Sequence, residues 1–252
     1  MPDPLPVSVH LLADRLSPGM LAGGVAVVVD VLRATTVMVH ALAAGCTAIR
    51  PCREVEEARR VAAGLPPGSA LLGGERHGLP IAGFDLGNSP ASYTPEACRD
   101  KTLVMTTTNG TRAVLASLEA ERIFVAGFVN LRATVTLLRS ERRHIHLICA
   151  GTDGRISLED AMLAGLLAAQ LPGERVHLSN DEALIVESAC QDMGGELVDG
   201  DPLVQFLAQG RGGCRLRELG LDADIRDAAR IDRFDLTAEV RRDPVRIVRV
   251  GA

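Results

Sequence analysis

VAVVVDVLRATT, residues 25–36, is the stretch from which the fold can be read. Its first five residues are apolar without alternation, as in a strand covered on both faces of a parallel sheet. Asp30 follows at once, and from Ala34 the pattern changes to the residue content and spacing of a helix. A buried strand that hands over to a helix within a few residues is the repeating unit of α/β folds. In open sheets of that kind, ligands bind outside the C-terminal ends of the strands, which is where Asp30 stands.

The same alternation extends in both directions. Apolar runs predict strands over 7–12, 25–30, 47–50, 70–72, 102–106, 122–125, 144–149 and 245–250. Helical spacing predicts helices over 34–44, 55–64, 111–119, 131–140, 157–170, 181–193 and 201–209, with Ser157 and Asp160 resembling a capping box. The glycine- and proline-rich stretch 73–95 is expected to be an extended loop, and long loops in compact domains are usually functional. A single α/β domain over 1–252 is the simplest partition, although the helix-rich part beyond about residue 171 leaves room for a second lobe.

With 252 residues, 47% of them hydrophobic, the chain can fill the core of such a domain. A net charge of −5 and a 2% aromatic content give neither general attraction to nucleic acid nor stacking platforms for bases. No apolar stretch approaches the roughly 20 residues of a membrane span. Any anionic ligand must then be held by a few local cations and amides. Cys46, Cys52, Cys98, Cys149, Cys190 and Cys214 are scattered with no CxxC pair, and no signal peptide is evident at the N-terminus, so reduced thiols and a cytoplasmic location are expected. The oligomeric state stays open, a homo-oligomer included.

Chemistry-bearing residues gather where strands hand over to helices. In DVLRATT, Asp30 suits magnesium coordination or attack on phosphorus, Arg33 offers a planar fork, and Thr35 and Thr36 add hydroxyls beside free helix-start amides. In residues 73–90, Glu75 and Asp85 suit a hard cation, Arg76 suits an anion, and Asn88 with Ser89 can orient an oxygen. MTTTNGT (105–111) ends another apolar run with Thr108, Asn109, Gly110 and Thr111, and CAGTDGRISLED (149–160) does so with Gly151 and Thr152. Asn130 follows a further strand and could serve the same site, although an ordinary helix cap explains it slightly better. His144 and His146 share a strand face without a carboxylate, which argues against a metal site there. The Asp222 to Asp235 series, interleaved with arginines, reads as a solvated, salt-bridged surface. P-loop, GxGxxG, HExxH and GxSxG motifs are missing, against the enzyme classes that need them.

These segments resemble the 2-phosphosulfolactate phosphatase family, the ComB-like proteins of coenzyme M biosynthesis. The matching blocks are DVLRATT (30–36), GGER (73–76), GFDLGNSP (83–90), TTTNGT (106–111), Asn130 and AGTDGRISLEDAMLAG (150–165). Beyond about residue 170 the likeness is loose, with Ala228 where the family pattern leads one to expect a Cys. The resemblance implies a three-layer α/β/α fold with a mainly parallel or mixed sheet, dependence on Mg2+, and hydrolysis of 2-phospho-3-sulfolactate to 3-sulfolactate and phosphate. On this reading Asp30, helped by Glu75 or Asp85, holds the metal, and Arg33 and Arg76 clamp the substrate. Thr35, Thr36, Asn88, Ser89, Thr108, Asn109, Gly110, Thr111, Asn130, Gly151 and Thr152 then surround the small phosphorylated anion. Attack by an Asp30 oxygen or by a metal-activated water, another small phosphorylated carboxylic acid as substrate, and a non-catalytic anion-binding role are all left open.

Overall fold

The computed structural model, which describes residues 4–171, 176–192 and 200–250, makes Val25–Val29 a central strand in which every residue is buried. Each such valine contributes about 1.5–3 kcal/mol relative to exposure. In chain order the strands are β1 (Leu5–His10), β2 (Val25–Val29), β3 (Ala48–Pro51), β4 (Ala70–Arg76), β5 (Leu79–Pro80), β6 (Thr102–Thr106), β7 (Arg122–Ala126), β8 (Ile145–Cys149), β9 (Val176–Leu178), β10 (Thr237–Arg241) and β11 (Arg246–Val250). The helices are α1 (Ala34–Ala43), α2 (Val55–Ala63), α3 (Pro95–Cys98), α4 (Gly110–Ala116), α5 (Leu131–Arg139), α6 (Leu158–Ala169), α7 (Asp181–Asp192), α8 (Asp201–Leu207), α9 (Arg211–Glu218) and α10 (Asp222–Ala228). Among the described residues no helix is long and apolar enough to cross a membrane.

The strands form one mixed sheet in the order β5-β4-β6-β3-β11-β10-β7-β2-β8-β1-β9. Strands β7, β2, β8, β1 and β9 are mutually parallel, as are β4, β6 and β3. The hairpin of β10 and β11 lies between the two groups, antiparallel to β7 on one side and to β3 on the other. The two parallel groups therefore run in opposite directions.

Three layers result. One face of the sheet buries Val28, Val125, Val240, Ile247, Ile49 and Met105 in a single cluster that spans both groups, with α1 and α4 packed on it. Because α1 serves both groups it is apolar on nearly all sides, and residues 34–42 are buried. The opposite face packs Val27, Val29, Phe124 and Leu147 against α5, α6 and α7, and Val104 against α2. After Leu171 the chain adds α7 to α10, whose Leu203, Leu207, Leu216 and Ile225 join the same core, and β9, β10 and β11 join the same sheet.

Several elements differ from the sequence expectation. Residues 73–76 are not loop: β4 continues through Arg76 beside β6, and Gly74 (φ +137°) is needed because a Cβ there would collide with the Thr106 carbonyl. β10 escapes a periodicity search because Glu239 lies inward, held by Arg122 at 2.8 Å and Arg241 at 2.7 Å. α9 is masked by Gly212 and Gly213, where added methyl groups would strike Glu159 and the Leu207 carbonyl. The expected capping box does not form: Ser157 Oγ pairs with Thr152 Oγ1, and Asp160 turns elsewhere. Met193, placed at the end of a predicted helix, lies outside the described residues.

Candidate active site

The ends of β2, β4, β6 and β8 and the start of α9 enclose one cleft of about 640 Å³. β2 and β6 belong to oppositely running groups, yet their C-terminal ends meet. Five strand steps separate them, and at about 20–25° per step the accumulated twist is roughly 100–125°, enough to swing the two ends together around α1 and α4.

Asp30 sits at the end of β2 and is 7% exposed. Its Oδ1 accepts from Ala34 N at 3.0 Å, and its Oδ2 faces the start of α4, where Gly110 leaves room: a Cβ there would lie 2.5 Å from that oxygen. Burial raises the Asp30 pKa to about 6; the Glu75 charge adds to the rise, while the Ala34 and Arg33 amides and the Arg33 charge oppose it.

Two further carboxylates from the first turn of α6 lie close enough to Asp30 to interact with it electrostatically. Asp160 is buried and accepts from Val31 N at 2.9 Å and Gly151 N at 3.1 Å, which locks the β2–α1 and β8–α6 junctions together. Burial, then the charges of Asp30 and Glu159, push its pKa well above the carboxylate range. Glu159 is 1% exposed, packs against Gly210 and Gly212 at the start of α9, and leaves Oε2 without a hydrogen-bond partner among the described residues. Burial first and the Asp30 charge second raise it to about 7.

Glu75, at the end of β4, lines the cleft but its oxygens are engaged: Oε1 accepts from Thr108 N at 2.6 Å, and Oε2 from Gly78 N at 2.7 Å and Thr108 Oγ1 at 3.1 Å. It orders the loop that presents Thr108 and Asn109. Arg33 also lines the cleft, preceded by a cis Leu32–Arg33 peptide, and is committed to Asp224 Oδ2 (2.6 Å), Gly78 O (2.9 Å) and Ser89 Oγ (3.4 Å).

A model of the 2-phosphosulpholactate phosphatase family matches residues 11–243. The chain belongs to this family. Among its relatives, a probable 2-phosphosulfolactate phosphatase of Clostridium perfringens strain 13 is 32% identical over 247 residues, 97% of each chain. One of Caldicellulosiruptor saccharolyticus is 37% identical over 232 residues, 90% of this chain and 93% of its own. One of Caldanaerobacter subterraneus is 34% identical over 220 residues, covering 87% and 89%.

The blocks typical of the 2-phosphosulfolactate phosphatase family meet at the cleft, but not every residue singled out from sequence lines it. Asp30, Arg33, Glu75, Asn88, Thr108, Asn109 and Thr152 do. Gly110 and Gly151 border it through the close approach of Asp30 and the bond to Asp160. Thr35 instead donates to the Asp30 and Ala126 carbonyls, Thr36 to the Val31 carbonyl, and Thr111 exchanges bonds with Thr107; these hydroxyls fix backbone. Asn130 accepts from Gly127 N and donates to Leu236 O, a structural tie. Ser89 Oγ donates to Asp224 at 2.9 Å. Arg76 does not reach the cleft wall: it donates to Glu75 O, Arg53 O and Thr106 Oγ1. Asp85 is exposed and accepts from Leu72 N, away from Asp30.

Asp224 belongs to the series read from sequence as a solvated surface, yet it is 3% exposed and carries the Arg33 ion pair. The cleft residues of α9, Arg211 and Arg215 among them, carry no recognisable motif and were not anticipated. Among the described residues no group of three or more His, Cys, Asp or Glu side chains is arranged to hold a metal ion. The hard oxygens at the cleft include the Asp30 carboxylate and Asn88 Oδ1, the latter buried and without a partner among the described residues. That donor set fits magnesium, which takes one or two carboxylates and fills its remaining positions with water and substrate phosphate oxygens.

Proposed function

We propose that this chain is a magnesium-dependent phosphatase that hydrolyses 2-phospho-3-sulfolactate to 3-sulfolactate and phosphate. The observation that carries the reading is the buried Asp30 carboxylate at the head of the cleft, with the unpartnered Asn88 Oδ1 in the same wall. Family membership and the names of the relatives support the reaction class. Asp30 and Asn88 would hold magnesium, which when bound neutralises charge on the phosphoryl oxygens. Asn109, whose side chain caps nothing in α4, lines the cleft and would offer its amide to the same substrate. Glu75 and Asp160 keep the strand-end loops in place around it. Six unpaired cysteines support a reducing, cytoplasmic setting, with a small phosphorylated anion as the partner.

Phosphate release from racemic phosphosulfolactate, with and without magnesium, tests this directly. Asp30→Asn is expected to lower kcat roughly 10³- to 10⁴-fold with the circular-dichroism spectrum unchanged. Failure of the unaltered chain to release phosphate in the presence of magnesium overturns the reading. Equal affinity for the ligand in both forms, with turnover in neither, identifies an anion-binding protein instead.

A further inference from the structure

A cleft of about 640 Å³ has room for far more than a phosphoryl group. Its arginines differ sharply in how far they are already neutralised. Arg33 is already engaged by Asp224, Gly78 and Ser89. Arg215 lies 3.5 Å from Glu218 and 3.4 Å from the His77 carbonyl. The side chain of Arg211, at the first position of α9, has no hydrogen bond or ion pair among the described residues. Its backbone is nonetheless well seated, because Gly210, Gly212 and Gly213 let the start of α9 press on Glu159 and on the end of α8 with no intervening side chain. Arg211 is exposed at the mouth of the same cleft that holds Asp30, so its unpaired guanidinium, carried on a fixed backbone, is open to an incoming anion.

We infer that Arg211 binds a second acidic group of the substrate, a carboxylate or sulfonate distinct from the phosphate, and so makes the cleft selective for phosphomonoesters of small acids. The planar fork of a guanidinium matches either group with two parallel hydrogen bonds. The inference rests on the phosphatase reading for its substrate class, but Arg211 is a specificity residue and takes no part in the displacement at phosphorus.

Arg211→Gln, with Arg211→Lys as a control that keeps the charge, separates this role from a general one. With phosphosulfolactate, Arg211→Gln is expected to raise KM roughly 10- to 100-fold at nearly constant kcat, and Arg211→Lys to recover part of the loss. With phenyl phosphate, which has no second acidic group, kcat/KM should be unchanged. Equal losses on both substrates, or none on either, overturn the inference. Calorimetric titration with 3-sulfolactate, which has no phosphate, supplies an arm independent of turnover. Affinity should fall by a similar factor in Arg211→Gln; equal affinity in both forms, or no binding to the unaltered chain, counts against Arg211. If the unaltered chain binds 3-sulfolactate through Arg211 but releases no phosphate, the phosphatase reading fails while the acid-binding role stands.

Discussion

The guanidinium of Arg33 meets the carboxylate of Asp224 at 2.6 Å with both side chains buried, although 191 residues separate them in the chain. Ser89 Oγ shares the same carboxylate oxygen, so the β2–α1 junction, the segment before α3 and the start of α10 are tied at one point. Removing one partner of a buried pair strands the other charge. Asp224→Asn should therefore cost about 3–5 kcal/mol, read from urea denaturation, and lower activity by displacing Arg33. The double replacement Arg33→Met with Asp224→Leu should regain much of that stability without regaining activity. A single variant as stable as the unaltered chain would remove this pair from the account of the cleft.

Gly110 sets two effects against each other. Alanine in the first turn of α4 would gain up to about 1 kcal/mol of helix propensity. Its methyl group would, however, lie against Asp30 Oδ2 and the Ala34 methyl. Overpacking of that kind costs about 1–3 kcal/mol, so it wins. Gly110→Ala should lower both the melting temperature and turnover, and a gain in either would show that α4 can shift away from Asp30.

Asp30 and Glu159 make stability depend on pH in a stated direction. Burial holds Asp30 at about 6 and Glu159 at about 7 in the folded chain, above their ordinary values of 3.8 and 4.5. Between those limits the folded chain keeps protons that the unfolded chain has released, so stability falls as pH rises and the full penalty applies by pH 8. For Asp30 alone the change corresponds to about 3 kcal/mol. A bound cation relieves this penalty where the carboxylates are ionised. Magnesium should accordingly raise the melting temperature clearly at pH 8 and little at pH 5.5; equal shifts at both pH values would count against Asp30 as a ligand.

The histidines on β1 and β8 act in the opposite sense. His10 Nε2 lies 3.1 Å from His146 Nδ1, the His144 and His146 rings stack at 3.9 Å, and His144 Nε2 lies 2.9 Å from Ser8 Oγ. Burial, followed by its two histidine neighbours, pushes His146 down to about 3. The unfolded chain takes up this proton near pH 6.5, so the contribution is complete above that value and is lost as pH falls toward 3. Denaturation in guanidinium between pH 6 and 4 should show stability declining with acid, and His146→Gln should flatten the slope. An unchanged slope would mean that the stack opens before it titrates.

What could be read from the letters was whatever depends on neighbours in the chain. β2, β6 and β8 announce themselves because both of their faces are covered, and Asp30 because it ends the clearest of them. The partners of Arg33 and the free charge of Arg211 depend on which distant segments the sheet brings together, and no local spacing encodes that. Thr35 and Thr36 show the same gap at short range: a hydroxyl beside a helix start has the same letters whether it meets a ligand or a carbonyl. Gly212 and Gly213 hid α9 because the closeness of Glu159 to the one and of the Leu207 carbonyl to the other, and not a turn, is what excludes larger residues there.

The placement of the β10 and β11 hairpin has a consequence for biosynthesis. Every other strand precedes it in the chain, yet among the described residues it supplies the backbone bonds that bridge the two oppositely running groups. A nascent chain emerging from the ribosome can build each group separately, but cannot zip them together until residues 237–250 have appeared. Maturation of the catalytic pocket is thereby deferred to the end of translation of this region, and a ribosome stalled short of it would display two unjoined sheet edges to the chaperones.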